Sequence, residues 1–281
     1  MLLIGLTGSI ATGKSTCSTI LSSPPFSLPI IDADHLSRSA VTPTTPLGKR
    51  GYKAIIRYFG PSTPELLLPP DPETGIAYIN RPALGRRVFG TDPQRVKDRA
   101  VLNKIVHPIV MKMTLKAIVK HWWEGHWAVV LDVPLLFESG FDLLCGGVIV
   151  VGLKDQEVQI ERLLARDREG GGGGGMTRDD AEGRVKSQMS VAEKVERVES
   201  CWDGKGRRRG FVVWNDGSRE ELKGQLEDVV GRLKKGRGAV YTGFGRWFLP
   251  WGVWRVVVII LGNWWRRRRF LNEQRRMKAK I

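Results

Sequence analysis

Leu2-Leu3-Ile4-Gly5-Leu6-Thr7-Gly8-Ser9-Ile10-Ala11-Thr12-Gly13-Lys14-Ser15 opens the chain, and the reading of these residues decides the fold. Leu2 to Leu6 form a short apolar run of the kind a buried strand needs. Gly8 to Ser15 match G-x-x-x-x-G-K-[ST], and a helical pattern follows from about Lys14 to Leu21. Strand, glycine-rich loop and helix together are the context in which this motif cradles phosphate. Gly8 and Gly13 let the backbone close around an anion with N–H groups pointing inward, so Gly8, Ser9, Ile10, Ala11, Thr12, Gly13, Lys14 and Ser15 are the expected ATP-binding residues. The helix N-terminus adds a positive field. Lys14 is then expected to reach the β- and γ-phosphates of ATP, and Ser15 to ligate Mg²⁺.

Further apolar runs lie at 28–31, 128–131, 147–151 and 211–214, and helical patterns at about 95–123, 155–168, 177–188 and 220–233. Short apolar runs alternating with helices imply βαβ units. The expected fold class is α/β, with a parallel five-stranded sheet buried on both faces. Residues 42–82 are rich in Pro and Thr, with an irregular insertion expected at 61–75. His107-Pro108 is expected to interrupt a helix, with His107 in a structural role. The six glycines at 170–175 read as a low-complexity loop.

In such sheets ligands bind beyond the carboxyl ends of the strands, so the residues there are informative. Asp32 and Asp34 end the second apolar run, which is expected beside the P-loop strand. Asp32 suits either a proton acceptor for an attacking hydroxyl or a helix N-cap. Asp132 ends the third run, where a Walker-B acid or a simple turn residue would stand. Arg162 and Arg166 are four apart on one helical pattern, and Arg184 and Gln188 repeat that spacing on the next. Any one arginine fits a solvated face. Together, around the glycine run, they describe a closing lid over about 160–190 that excludes water from the transfer.

The loop motif alone does not separate kinases from other nucleotide hydrolases. Asn103-Lys104 is followed by Ile105-Val106, so the guanine-reading N-K-x-D is missing, and no L-S-G-G-Q occurs. A small-molecule kinase is the leading class.

The formal net charge of +16 suggests nucleic acid at first sight. From Lys234 to Ile281, however, 13 Lys and Arg stand against the single acid Glu273, so only +4 remains for the rest of the 281 residues. That remainder fits an enzyme binding polyanionic phosphates, and no nucleic-acid partner is expected. Cys17, Cys145 and Cys201 form no C-x-x-C pair, and the N-terminus has no signal-peptide pattern. A reducing, cytoplasmic location is expected. Residues 1–235 read as the catalytic domain and 236–281 as a basic, Trp-rich tail. In the tail, 247–265 is apolar with tryptophans at both ends, Arg255 near its middle and Arg266 to Arg269 directly after. The pattern suits attachment to the cytosolic face of an intracellular membrane better than spanning, with a packed soluble helix as the alternative.

Several of these blocks together resemble the dephospho-CoA kinase family. They are the loop from Thr7 to Ser15, Asp32-Ala33-Asp34 with Arg38, His107-Pro108, and Asp132-Val133-Pro134-Leu135-Leu136-Phe137-Glu138. Arg162 with Arg166, Arg184 with Gln188, and Asn215 with Gly217 complete the set. Order and spacing agree from residue 1 to about 235. The resemblance implies transfer of the ATP γ-phosphate to the ribose 3′-hydroxyl of dephospho-CoA, with a P-loop kinase core, a helical substrate-binding segment and a lid. It implies that Asp32 is the catalytic base or orients the hydroxyl, and that Lys14 acts in the transfer. Asp34, Arg38, Leu135, Phe137 and Glu138 would bind the acceptor, and Asn215 would lie near the adenine. Arg162, Arg166 and Arg184 would act in the lid, and Ser15 with Asp132 would hold Mg²⁺. The insertion at 61–75 and the glycine run depart from the family pattern, and the tail lies outside it. A kinase for another nucleoside or nucleotide is the alternative enzyme, and a nucleotide-dependent membrane module without transfer activity is the alternative class.

Overall fold

The computed structural model describes residues 1–90, 92–169, 175–199 and 209–235, together with Trp264 and Arg268. Apart from Trp264 and Arg268, the tail lies outside the described residues, as do Cys201 and glycines 170–174, and so do the expectations that rest on them.

Apolar runs and caps set the elements in chain order. They are β1 (Leu2–Gly8), α1 (Lys14–Ser22), β2 (Ile30–Asp32), α2 (Ala33–Ser39), α3 (Pro46–Phe59), α4 (Arg81–Val88), α5 (Pro93–Trp123) and β3 (Ala128–Asp132). Then come α6 (Leu136–Ser139), β4 (Gly147–Gly152), α7 (Gln156–Glu169), α8 (Arg178–Lys186), α9 (Val191–Glu199), β5 (Gly210–Trp214) and α10 (Arg219–Lys235). The five strands form one sheet in the order β2-β3-β1-β4-β5. β1 pairs in parallel with β3 and β4, and β4 with β5. The expected α/β fold is present. One expectation fails: β2 is not the neighbour of the P-loop strand, because β3 lies between them. β3 is buried along its whole length, as a central strand must be.

The chain divides into two compact units, 1–30 with 125–281, and 31–124. In the first, Ile4 and Leu6 of β1 share a core with Val130, Ile149, Val151 and Val213 from the other strands. Cys17, Ile20 and Leu21 of α1 and Leu222, Leu226 and Val229 of α10 cover this face. α9 packs on β4 and β5. α7 and α8 form a smaller cluster through Ile160, Leu163 and Ala181, which takes in Ile10 and Ala11 of the P-loop.

In the second unit α2, α3 and α4 pack against α5 around Ile55, Phe59, Leu84 and Val88. The helices within the Pro-rich region were not legible as such. Each starts on a side-chain cap with proline in its first turn: Thr45 accepts from Gly48 N at 3.0 Å and Asn80 from Ala83 N at 3.2 Å. The expected break at His107-Pro108 does not occur either, since α5 runs through Pro108 for 31 residues. The 61–75 insertion is more ordered than expected. It holds 3₁₀ turns at Gly60–Ser62 and Pro64–Leu66, and an antiparallel bridge joins Leu67 to Ile79. Asp98 is buried on α5, where it receives Gln94 Nε2 at 3.1 Å and Tyr58 Oη at 3.2 Å and forms an ion pair with Arg87 Nε at 2.9 Å.

Candidate active site

The loop between β1 and α1 has the shape a phosphate cradle requires. Gly13 sits at φ +89°, and a Cβ there would lie 2.0 Å from Asn215 Nδ2. Gly8 is held by close approach, since its Cβ would meet Thr12 Oγ1 at 2.6 Å and Val151 O at 2.9 Å. Only glycine satisfies both positions. Thr12 is fully buried and turns its Oγ1 back onto Ser9 O at 2.9 Å.

Neighbouring elements brace the loop from outside. Asn215, following β5, donates its amide to Thr12 O at 3.0 Å. Gln159 of α7 donates to Ile10 O at 2.6 Å, and the Ile10 N–H donates to Gln188 Oε1 at 3.1 Å. Ser9 Oγ donates to Met189 O at 3.1 Å. Ile10 is therefore gripped on both peptide faces by two glutamines, one from each side of the glycine run. Its N–H faces Gln188. Gln188 also lies beyond the end of α8 at Lys186, so it does not continue the Arg184 face as the spacing suggested.

Lys14, at the first position of α1, forms a short ion pair with Asp132. Parallel pairing sets Leu6 of β1 opposite Asp132 of β3, which brings the end of β3 beside the start of the loop. The turn after Asp132 is tied down: Val133 N donates to Leu6 O at 3.0 Å, and Thr7 Oγ1 donates to Pro134 O at 2.9 Å. Lys194 of α9 donates to the same carbonyl at 3.1 Å. Gln159 and Lys194 were missed in the sequence, and Thr7 was read there only as the first residue of the loop block. Their only mark there is a polar residue at a position the apolar pattern would fill.

Of the remaining expected residues, Arg162 Nη2 donates to Asn215 O at 3.2 Å. Arg166 and Arg184 are exposed on α7 and α8, and Ser15 is exposed on the first turn of α1. Leu135 and Glu138 are exposed too. Phe137 is fully buried, its ring under the Arg197 guanidinium, 4.9 Å from the ring centroid. Asp32, Asp34 and Arg38 belong to the second unit. Asp32 caps α2, its Oδ1 accepting from Asp34 N at 2.8 Å and His35 N at 3.1 Å. The thiol of Cys17, beneath the loop, is pushed up to about 12 by burial first and by the Asp132 charge second.

The arrangement can hold a polyphosphate and place a cation and a carboxylate at its far end. A family model described as dephospho-CoA kinase matches residues 2–207. The chain belongs to the dephospho-CoA kinase family. Within the family it is 37% identical to the dephospho-CoA kinase of Saccharomyces cerevisiae, over 83% of each chain. It is 41% identical to that of Symbiobacterium thermophilum, over 73% of this chain and 75% of the relative. A solved Thermus thermophilus protein, TT1252, superposes with a TM-score of 0.59 at 28% identity, covering 83% of this chain and 97% of that one. The dephospho-CoA kinase of Campylobacter jejuni shares the fold with a TM-score of 0.55.

Proposed function

We infer that this chain transfers the γ-phosphoryl group of ATP to the ribose 3′-hydroxyl of dephospho-CoA, giving coenzyme A and ADP. The observation that carries the reading is the Lys14–Asp132 pair at a glycine-wrapped loop in a chain of this family. A new bond forms between the 3′-oxygen and the γ-phosphorus, and the bond from that phosphorus to the β-γ bridging oxygen breaks. The hydroxyl proton goes to a carboxylate, and ADP leaves with the electron pair. We assign the proton acceptor to Asp32. Both its capping bonds use Oδ1, which leaves Oδ2 for the hydroxyl. Lys14 turns from Asp132 to the β- and γ-phosphates when ATP enters and neutralises the charge that develops there.

Mg²⁺ suits the donors present, since the Ser15 hydroxyl and the Asp132 carboxylate are the hard oxygen ligands it prefers. Bound there, it would supply charge neutralisation across the phosphates. Leu135, Glu138, Asp34 and Arg38 are assigned to acceptor binding, and Asn215 to bracing the loop on the nucleotide side. Arg162, Arg166 and Arg184 are assigned to a lid formed by α7 and α8. The two glutamine hydrogen bonds to Ile10 support a hinge for this lid at the P-loop tip.

The catalytic domain is taken as 1–235 and placed in the cytoplasm. Residues 236–281 are proposed to attach it to an anionic membrane surface by their tryptophans and arginines. Arg268 lies over the Trp264 ring at 5.3 Å, and that ring is about half exposed. No helix among the described residues is long and apolar enough to cross a membrane. ADP release measured with dephospho-CoA, and separately with nucleosides and nucleotides, tests the assignment. Activity with dephospho-CoA well above that with every other acceptor is expected. A preference for a nucleoside or nucleotide would overturn it.

A further inference from the structure

Lys194 has no part in the transfer as described, yet among the described residues of the first unit it is the most deeply buried charged one. It is fully buried, at 0% exposure, on the face that α9 turns to β4 and β5, where Val198 is its buried companion. Lysine is almost never buried whole unless its ammonium is paired, because removing the charge from water costs several kcal/mol. Burial pulls its pKa down first, Glu138 of α6 pulls it up, and Lys14 of α1 pulls it down again. Those two groups are the ionisable ones that face it most strongly. One of them is the phosphate-binding lysine itself.

Its hydrogen bond shows what the charge is for. Nζ donates to Pro134 O at 3.1 Å, and Thr7 Oγ1 donates to the same oxygen at 2.9 Å. A carbonyl oxygen has two lone pairs, and here both are used. One donor comes from β1 just before the P-loop and the other from α9. Pro134 stands two residues beyond Asp132, and Val133 N is bonded to Leu6 O. The chain leaving β3 is thus fixed at successive residues, and Asp132 stands at the start of that fixed segment.

We propose that Lys194 is a positioning residue for phosphoryl transfer, its ammonium pinning the Pro134 carbonyl so that Asp132 is held in register with Lys14. The proposal rests on the kinase reading above. A second effect follows from the same placement. Lys194 and Lys14 repel each other, so the cradle carries more positive potential than Lys14 alone supplies, and Lys14 is biased toward whichever anion is present.

A purely structural role makes a different prediction, because removing Lys194 leaves Pro134 O still bonded to Thr7 and takes a desolvated charge out of the interior. That change should be close to neutral for folding. The full-length protein is therefore compared with Lys194→Met, Thr7→Val and the double variant. Melting temperature, kcat, the KM values for ATP and dephospho-CoA, and intrinsic ATP hydrolysis without acceptor are measured for each. Lys194→Met is expected to keep its melting temperature, to lose about 10- to 100-fold in kcat, and to leave the KM for dephospho-CoA within about twofold. The double variant is expected to lose more than the product of the single losses, because only then is the carbonyl stripped of both donors. Should Lys194→Met not fold, Thr7→Val alone must lower kcat without moving either KM. A kcat within about twofold of wild type in a folded Lys194→Met variant, or strictly multiplicative losses, would overturn the proposal. Wild-type protein inactive on dephospho-CoA would instead sink the substrate assignment. The Lys194 question would then be read from intrinsic hydrolysis, which needs no acceptor.

Discussion

Asp32 carries two duties that a single substitution separates. Asparagine caps a helix as well as aspartate does, so Asp32→Asn should leave α2 intact while removing the proton acceptor. We expect kcat to fall roughly 10²- to 10⁴-fold with ATP affinity kept, as measured by steady-state kinetics and by binding of a non-hydrolysable analogue. An unchanged kcat would transfer the role to Asp34. Gly13 is tested in the opposite way. A methyl group at its φ of +89° would lie 2.0 Å from the Asn215 amide. Gly13→Ala should therefore expel Asn215 from Thr12 O and distort the cradle. Nucleotide affinity should drop by at least tenfold, about 1.4 kcal/mol, and calorimetric titration with ATP would show it. Retention of full affinity would mean that the loop tolerates a shift that its contacts forbid.

At the scale of elements, α5 is stitched to α3 and α4 by the buried Asp98, with Arg87, Gln94 and Tyr58 around it. Asp98→Ala removes the acceptor shared by Arg87, Gln94 and Tyr58, while the Arg87 side chain, 33% exposed, stays within reach of water. The unfolding free energy should fall by about 1–3 kcal/mol in a denaturant titration, since the remaining donors lose their partner. A loss below about 0.5 kcal/mol would show that Arg87 relaxes to water. On α1, burial and the Asp132 charge hold the Cys17 thiol near 12, and burial raises Cys145 as well. The reactive thiolate is then nearly absent at pH 8. Iodoacetamide should spare both residues in the native protein and label them after unfolding, as peptide mass mapping would show. Native labelling of Cys17 would mean that α1 opens from the sheet.

For the whole molecule, the proposed division at 235 is tested by comparing the full chain with one ending at Lys235. In flotation with anionic liposomes only the full chain should float, and the two should have equal kinase activity. Equal flotation would sink the tether. Loss of activity on truncation would show instead that the tail packs against the catalytic domain.

The sequence by itself determined the P-loop, four of the five strand ends nearly to the residue, and the α/β class. Each rests on local chemistry: glycine where φ is positive, an apolar run that cannot be solvated, and a lysine and serine at a helix start. Asp132 was legible as a strand-end acid for the same reason. Tertiary structure alone decided that β3, not β2, lies beside β1, because strand order follows from how whole faces are buried and no local pattern encodes it. It also decided that Phe137 belongs to the core, that α5 runs through Pro108, and that Gln159 and Gln188 grip Ile10 from residues far along the chain. Lys194 shows why such residues escape a linear reading. In the sequence it is one more lysine among many. Only the fold removes its ammonium from water and sets it against the carbonyl that follows Asp132.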